Sequence, residues 1–167
     1  MKRGFTLLEV VVVIAIIAIL SLFGVNTINN FRRNASLDNA ASELLSEIRV
    51  ARNKSMTGEV MEGEKEEDFN PNGLPEYGVN ILADRYELIR RCVKLAGNCD
   101  TEPAIEMIML DDQFTLDPIG KFYFDRIAGN PDISGTKTIN ILEKKGSKKW
   151  GRKIEITKDF EVNIYSI

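Results

Sequence analysis

The sequence predicts an α+β chain, one long amino-terminal helix followed by an antiparallel β-sheet head. Three observations predict it. An apolar run extends from Leu7 to Val25, interrupted by charge or clear polarity only at Glu9 and Ser21. From Phe31 to Ala51 the apolar residues recur at steps of three and four, the period of one helix face. From Tyr77 onward, short alternating segments are separated by turn-forming residues, the pattern of strands and hairpins. A helix followed by a run of strands is an α+β order.

Composition narrows the function. The chain has 167 residues, enough for one modest domain and an anchor. Apolar residues make up 44%, and many lie in the first twenty-five positions, so the remainder is a rather polar domain. Lys and Arg total 22 against 25 Asp and Glu, a net charge of −3 that argues against a bulk nucleic-acid binder. Histidine is absent, which removes the commonest general base, the Ser/His/Asp triad and most zinc sites.

The amino terminus admits three readings. A signal peptide has an apolar core of about 7–15 residues and a small-residue cleavage site. Met1-Lys2-Arg3 suits its basic start, but the apolar run is longer and Ile19-Leu20-Ser21-Leu22-Phe23 is a poor cleavage site. A plain membrane anchor needs roughly 18 or more apolar residues, which the run supplies, and Lys2 and Arg3 would hold its start in the cytoplasm. That reading leaves Glu9 unexplained, because a charge in such a helix costs roughly 2.5–3.5 kcal/mol. In the third reading, Gly4-Phe5-Thr6-Leu7-Leu8-Glu9, placed after a short basic leader and before an apolar helix, resembles the processing signature of type IV prepilins and type II secretion pseudopilins.

The resemblance implies specific chemistry. An inner-membrane prepilin peptidase would cut after Gly4 and methylate the new amino terminus at Phe5. Glycine suits the cut because it leaves the backbone unhindered. Glu9 would be the assembly residue, pairing with the amine of Phe5 on a neighbouring subunit. The competing reading has Glu9 reaching the membrane interface in a monomer. The implied partners are the peptidase, other pilin or pseudopilin subunits and an inner-membrane assembly platform. The implied location is the bacterial inner membrane, single-pass with a cytoplasmic amino terminus and an extracytoplasmic head, and then the filament.

The helix is expected to continue past the membrane. Phe31, Ala35, Leu37, Ala40, Ala41, Leu44, Leu45, Ile48 and Ala51 form the apolar stripe. Arg32, Arg33, Asp38, Glu43, Glu47, Arg49 and Arg52 fall mainly on other faces. The family picture is one helix of about 50 residues, roughly 75–80 Å long at 1.5 Å per residue. Gly24, Asn26, Asn29 and Asn30 mark either a melting point or the polar exit from the membrane. Gly58 ends the pattern. The following acidic stretch, Glu59 to Asp68 with Asn70-Pro71-Asn72-Gly73 behind it, reads as an exposed loop. Its carboxylates lack an ordered calcium-ligand spacing, and no metal or cofactor is expected.

Strands are expected at Tyr77–Leu82, Arg85–Leu95, Ala104–Leu110, Gln113–Pro118, Lys121–Arg126, Lys137–Lys145 and Lys153–Ile164. Ala83-Asp84 reads as a hairpin turn, and Lys158-Asp159 as a point that splits the last strand. The helix segment Ala41–Arg52 and the closing part, from Phe124–Gly129 through Ile139–Ile141 to Ile154–Ile156, resemble the GspH/FimT kind of minor pilin and pseudopilin. That resemblance implies a pilin-fold head of two antiparallel sheets. Met56 departs from it, standing where a smaller helix residue is expected. The chain thus divides into a leader at 1–4, a transmembrane or filament-core helix at 5–25, and its amphipathic continuation at 26–58. An acidic loop at 59–76 and a β head at 77–167 follow.

Two further features stand out. Cys92 and Cys99 bracket a short segment with a Gly97-Asn98 turn. In an oxidising extracytoplasmic compartment such a pair is expected to form a disulfide, with free thiols as the alternative. Lys144, Lys145, Lys148, Lys149, Trp150, Arg152 and Lys153 gather six cations around one aromatic ring. Such a patch can hold DNA phosphates with Trp150 stacked on a base. It reads first as a solvated hairpin loop whose lysines guard an edge, with DNA contact as the lesser alternative. The expected function is a non-enzymatic structural subunit. The rivals are a filament-tip DNA-uptake receptor or adhesin, resting on the lysine patch alone, and a membrane-anchored enzyme. For the enzyme no nucleophile motif is visible, and Asp111-Asp112 reads as a turn.

Overall fold

The computed structural model describes residues 6–60, 62–63, 74–91, 93–94, 97–98, 104–144 and 150–167, with backbone alone at 22–27, 93–94 and 97–98. Helix α1 runs from Leu7 to Thr57. Its backbone passes through Gly24, Asn26, Asn29 and Asn30 without a break. Of the two sequence readings there, the described helix contains no melted turn. The chain divides into two compact units, residues 1–36 and 37–167, and α1 contributes to both.

In the first unit the described side chains at 6–21 and 28–32 lie open on every side of the helix, and those at 33–36 are partly covered. Leu7 is 85% exposed, Ile14 62% and Leu20 65%. In the second unit α1 shows a buried stripe at Leu37, Ala41, Leu44, Leu45, Ile48 and Ala51. The expected stripe therefore begins at Leu37; Phe31, counted into it from the spacing, is 73% exposed. The helix ends as its sequence demands. Gly58 takes φ +62, its N–H donates to Ser55 O, and Glu59 N–H donates to Lys54 O. These two bonds form a Schellman closure, which favours glycine because a side chain resists the left-handed conformation.

Ten strands follow: β1 (Glu76–Ile81), β2 (Arg85–Arg91), β3 (Val93–Lys94), β4 (Gly97–Asn98), β5 (Glu106–Met109), β6 (Phe114–Asp117), β7 (Gly120–Tyr123), β8 (Lys137–Glu143), β9 (Gly151–Ile156) and β10 (Val162–Ser166). They build two four-stranded antiparallel sheets, ordered β5-β2-β1-β7 and β10-β9-β8-β6, and a small β3-β4 hairpin. The β1-β2 turn forms where Ala83-Asp84 predicts it, with Leu82 N–H donating to Arg85 O. Lys158-Asp159 likewise separates β9 from β10. The Lys121–Arg126 expectation needs correction. Its strand ends at Tyr123, and a turn begins at Asp125, whose carboxylate accepts N–H bonds from Ile127, Ala128 and Asn130. An aspartate that can bond nearby backbone offers the chain an alternative to the sheet ladder.

One hydrophobic cluster joins Leu37, Leu44 and Ile48 of α1 to Val79 and Leu88 of the first sheet and to Ile139 and Ile154 of the second. Polar contacts pin the helix to the strands. Ser55, fully buried, donates through Oγ to Phe124 O and accepts from Tyr77 N–H at 3.1 Å. Arg52 Nε donates to Gly129 O at 2.8 Å, and its guanidinium lies 4.5 Å from the Phe160 ring centre. Phe160 holds φ +59, a costly conformation for a bulky residue. Its ring is fixed by that guanidinium and by edge-on packing against Phe124 at 5.5 Å.

Candidate functional site

The amino-terminal signature is the only ordered motif in the sequence, and part of it is described. Gly4 and Phe5 lie outside the described residues. Thr6 and Glu9 are described, and they bond reciprocally. Thr6 N–H donates to Glu9 Oε2 at 2.8 Å, Thr6 Oγ1 donates to the same oxygen at 3.0 Å, and Glu9 N–H lies 3.3 Å from Thr6 Oγ1 as its acceptor. This is a capping box: a threonine at the helix start and a glutamate three residues on satisfy each other's backbone N–H groups. The carboxylate of Glu9 also sits at the positive end of the helix dipole. The role of Thr6 was legible as the T-x-x-E spacing ahead of an apolar run, but the sequence reading gave Thr6 no role of its own.

Beyond Glu9, apolar side chains cover the helix from Val10 to Leu20, each about half or more exposed where large. Ser21 is satisfied locally, its Oγ donating to Ile17 O at 2.8 Å. Among the described residues no helix is long and apolar enough to cross a membrane. The described apolar run reaches Leu20, and the side chains of 22–27 fall outside the description.

Of the other expected site residues, only some are described. Cys92 and Cys99 lie outside the described residues, as do Lys145, Lys148 and Lys149. Lys144 is exposed. Trp150 is half-buried and packs against the hydrophobic core. Arg152 is buried, with Nε donating to Asp38 at 2.6 Å. Its guanidinium holds the Asp38 carboxyl below the ordinary carboxylate value, chiefly through that hydrogen bond. Lys153 pairs with Glu155. Of the described part of the basic run, Trp150, Arg152 and Lys153 are thus engaged within the head, and Lys144 stands exposed. Most of the acidic loop lies outside the described residues. Among the described residues no three acidic or sulfur side chains are grouped to hold a metal ion. Asp111-Asp112 forms the expected turn, with Asp111 accepting from Gln113 N–H.

Residues 1–25 match the prokaryotic N-terminal methylation motif. The match supports the type IV pilin and pseudopilin class, and a long helix with two antiparallel four-stranded sheets is consistent with the α+β pilin fold. The motif implies processing by prepilin peptidase and assembly with other pilin subunits. Comparison of the chain with curated proteins and with solved structures gives no match.

Proposed function

We propose that the chain is a structural, non-enzymatic subunit, minor and of the GspH/FimT kind, of a type IV pilus or type II secretion pseudopilus. The observation that carries the reading is the methylation motif over residues 1–25, joined to a helix that keeps its apolar side chains uncovered after Glu9. Peptidase cuts between Gly4 and Phe5 and methylates Phe5. The segment from Phe5 to Val25 anchors the chain in the inner membrane and then enters the filament core. Uncovered apolar surface on all sides of a helix supports this, because such a helix is stable only inside lipid or other helices. Glu9 pairs with the amine of Phe5 on the next subunit. The capping box supports that step, since it holds the carboxylate at the helix start while no neighbour is present. The head is fastened by a Cys92–Cys99 disulfide. Val93 and Asn98, one step inward from the two cysteines, pair across an antiparallel hairpin.

The test is the intact mass of the chain extracted from membranes of peptidase-positive cells. Wild type is expected to begin at N-methylated Phe5, and Gly4→Leu to remain uncut from Met1. Glu9→Val should be cut normally but stay in the membrane fraction. A wild-type chain that begins at Met1 overturns the reading.

A further inference from the structure

In the second unit, the charges among the described residues that act on Glu47 and Tyr86 are all carboxylates. Glu43 and Glu47 stand one helical turn apart on α1, so their side chains share a face. Glu106 comes from β5. In the β2-β5 ladder Tyr86 faces Ile108 and Leu88 faces Glu106, so Tyr86 and Glu106 lie on one side of the sheet. That side also carries Leu88, which joins Leu44 and Ile48 of α1 in the core. The strand register and the helix face therefore bring the three carboxylates around Tyr86.

Two atoms there lack the partners that buried groups need. Tyr86 is 1% exposed, and its hydroxyl finds no hydrogen bond. Glu47 Oε2 is closed off from solvent and also finds none. Buried polar atoms are nearly always paired, so an orphan pair at one place calls for an explanation. Burial, then Glu106 and Glu43, push the Glu47 carboxyl above its ordinary value. Burial, then Glu43, Glu47 and Glu106, push the Tyr86 hydroxyl up as well. The same carboxylates thus act on both groups.

We propose that this niche of Glu43, Glu47, Glu106 and Tyr86 receives an arginine side chain from a second copy of the chain. Its oxygens do not converge as a single metal ion requires. A guanidinium suits the spread better, because it is planar, carries five N–H donors and sheds water more readily than an ammonium. It would give Glu47 Oε2 and the Tyr86 hydroxyl the donors they lack. The chain supplies candidates: Arg32, Arg49 and Arg126 are exposed and, among the described residues, make no ion pair. The inference rests on the subunit reading above, which brings copies of the chain side by side.

The experiment follows the full chain in peptidase-positive cells and reads the ratio of assembled to membrane-retained protein. Glu47→Gln should lower that ratio about ten-fold, the cost of one charge-assisted bond. The same variant, dispersed in detergent, should melt at the wild-type temperature or above, because an unpaired buried charge is gone. Glu47→Arg should abolish assembly, and pairing it with one of Arg32→Glu, Arg49→Glu or Arg126→Glu should restore it. Wild-type assembly by Glu47→Gln overturns the niche and leaves the subunit reading intact. Loss without rescue by any of the three reversals overturns the second-copy arginine. A wild type that does not assemble overturns both.

Discussion

Helix α1 holds two stretches whose apolar side chains meet opposite fates. Ile14 is 62% exposed and Ile48 is fully buried, though both are isoleucines in the same unbroken helix. The difference lies in pattern. Val10 to Leu20 are apolar on every face, so no single neighbouring surface can cover them. Leu37 to Ala51 are apolar on one stripe, which the strands of the same chain cover. All-round hydrophobicity marks a segment completed by something outside the chain; a stripe marks one completed within it.

The contrast is sharpest for core truncation. Ile48→Ala should cost about 2–5 kcal/mol of stability, the range for emptying a packed site. Ile14→Ala should change the same unfolding transition by no more than about 0.5 kcal/mol. Thermal unfolding of the detergent-dispersed chain, followed by near-ultraviolet circular dichroism, measures both. Equal losses would erase the distinction between the two stretches.

The serines give a smaller version of the same comparison. Ser21 Oγ donates within its own helix, whereas Ser55 Oγ bridges Tyr77 N–H and Phe124 O. Ser55→Ala should cost about 1–3 kcal/mol, since two buried backbone groups lose their partner. Ser21→Ala should be nearly neutral. Amide exchange at Tyr77 should speed up in the first variant and stay unchanged in the second.

Charge gives the smallest effect, and within the second stretch it runs in two directions. The Asp38 carboxyl is lowered by its bond to Arg152, so its contribution is present above the ordinary value of 3.8 and is lost as pH falls below it. The Glu47 carboxyl is raised, so the folded chain binds its proton more tightly than the unfolded one. Stability should therefore rise as pH falls toward the ordinary glutamate value of 4.5 and decline again below 3.8. Glu47→Gln should remove the rise, and Asp38→Asn should soften the decline, in melting temperatures recorded across that range.

Much of this was legible because it is local. The helix period, the Gly58 stop, the hairpin at Ala83-Asp84 and the alternation of Ile139 with Ile141 or Ile154 with Ile156 all depend on near neighbours in sequence. What escaped depends on distant pairings. Glu47 falls outside the apolar stripe in sequence, yet it is half-buried, with the charge of Glu106 from β5 acting on it. Arg152 read as one cation in a basic run, yet it is buried against Asp38, 114 positions away. Phe160 carries no sequence mark of its left-handed backbone, which Arg52 and Phe124 impose from other elements. At the amino terminus, the T-x-x-E spacing carried the capping box in plain view.

Met56 and Gly129 tie two distant positions into one history. Gly129 has φ +65, and a Cβ built there would stand 2.5 Å from Met56 Sδ and 2.9 Å from Arg52 Nε. The large methionine, out of place in its helix by resemblance alone, occupies the room that a glycine leaves open. The two positions are therefore epistatic. A side chain at 129 must push Met56 Sδ aside, and shrinking Met56 to alanine removes that displacement. Even then Arg52 narrows the choice, and asparagine, which tolerates the left-handed backbone, is the first replacement such a lineage could accept.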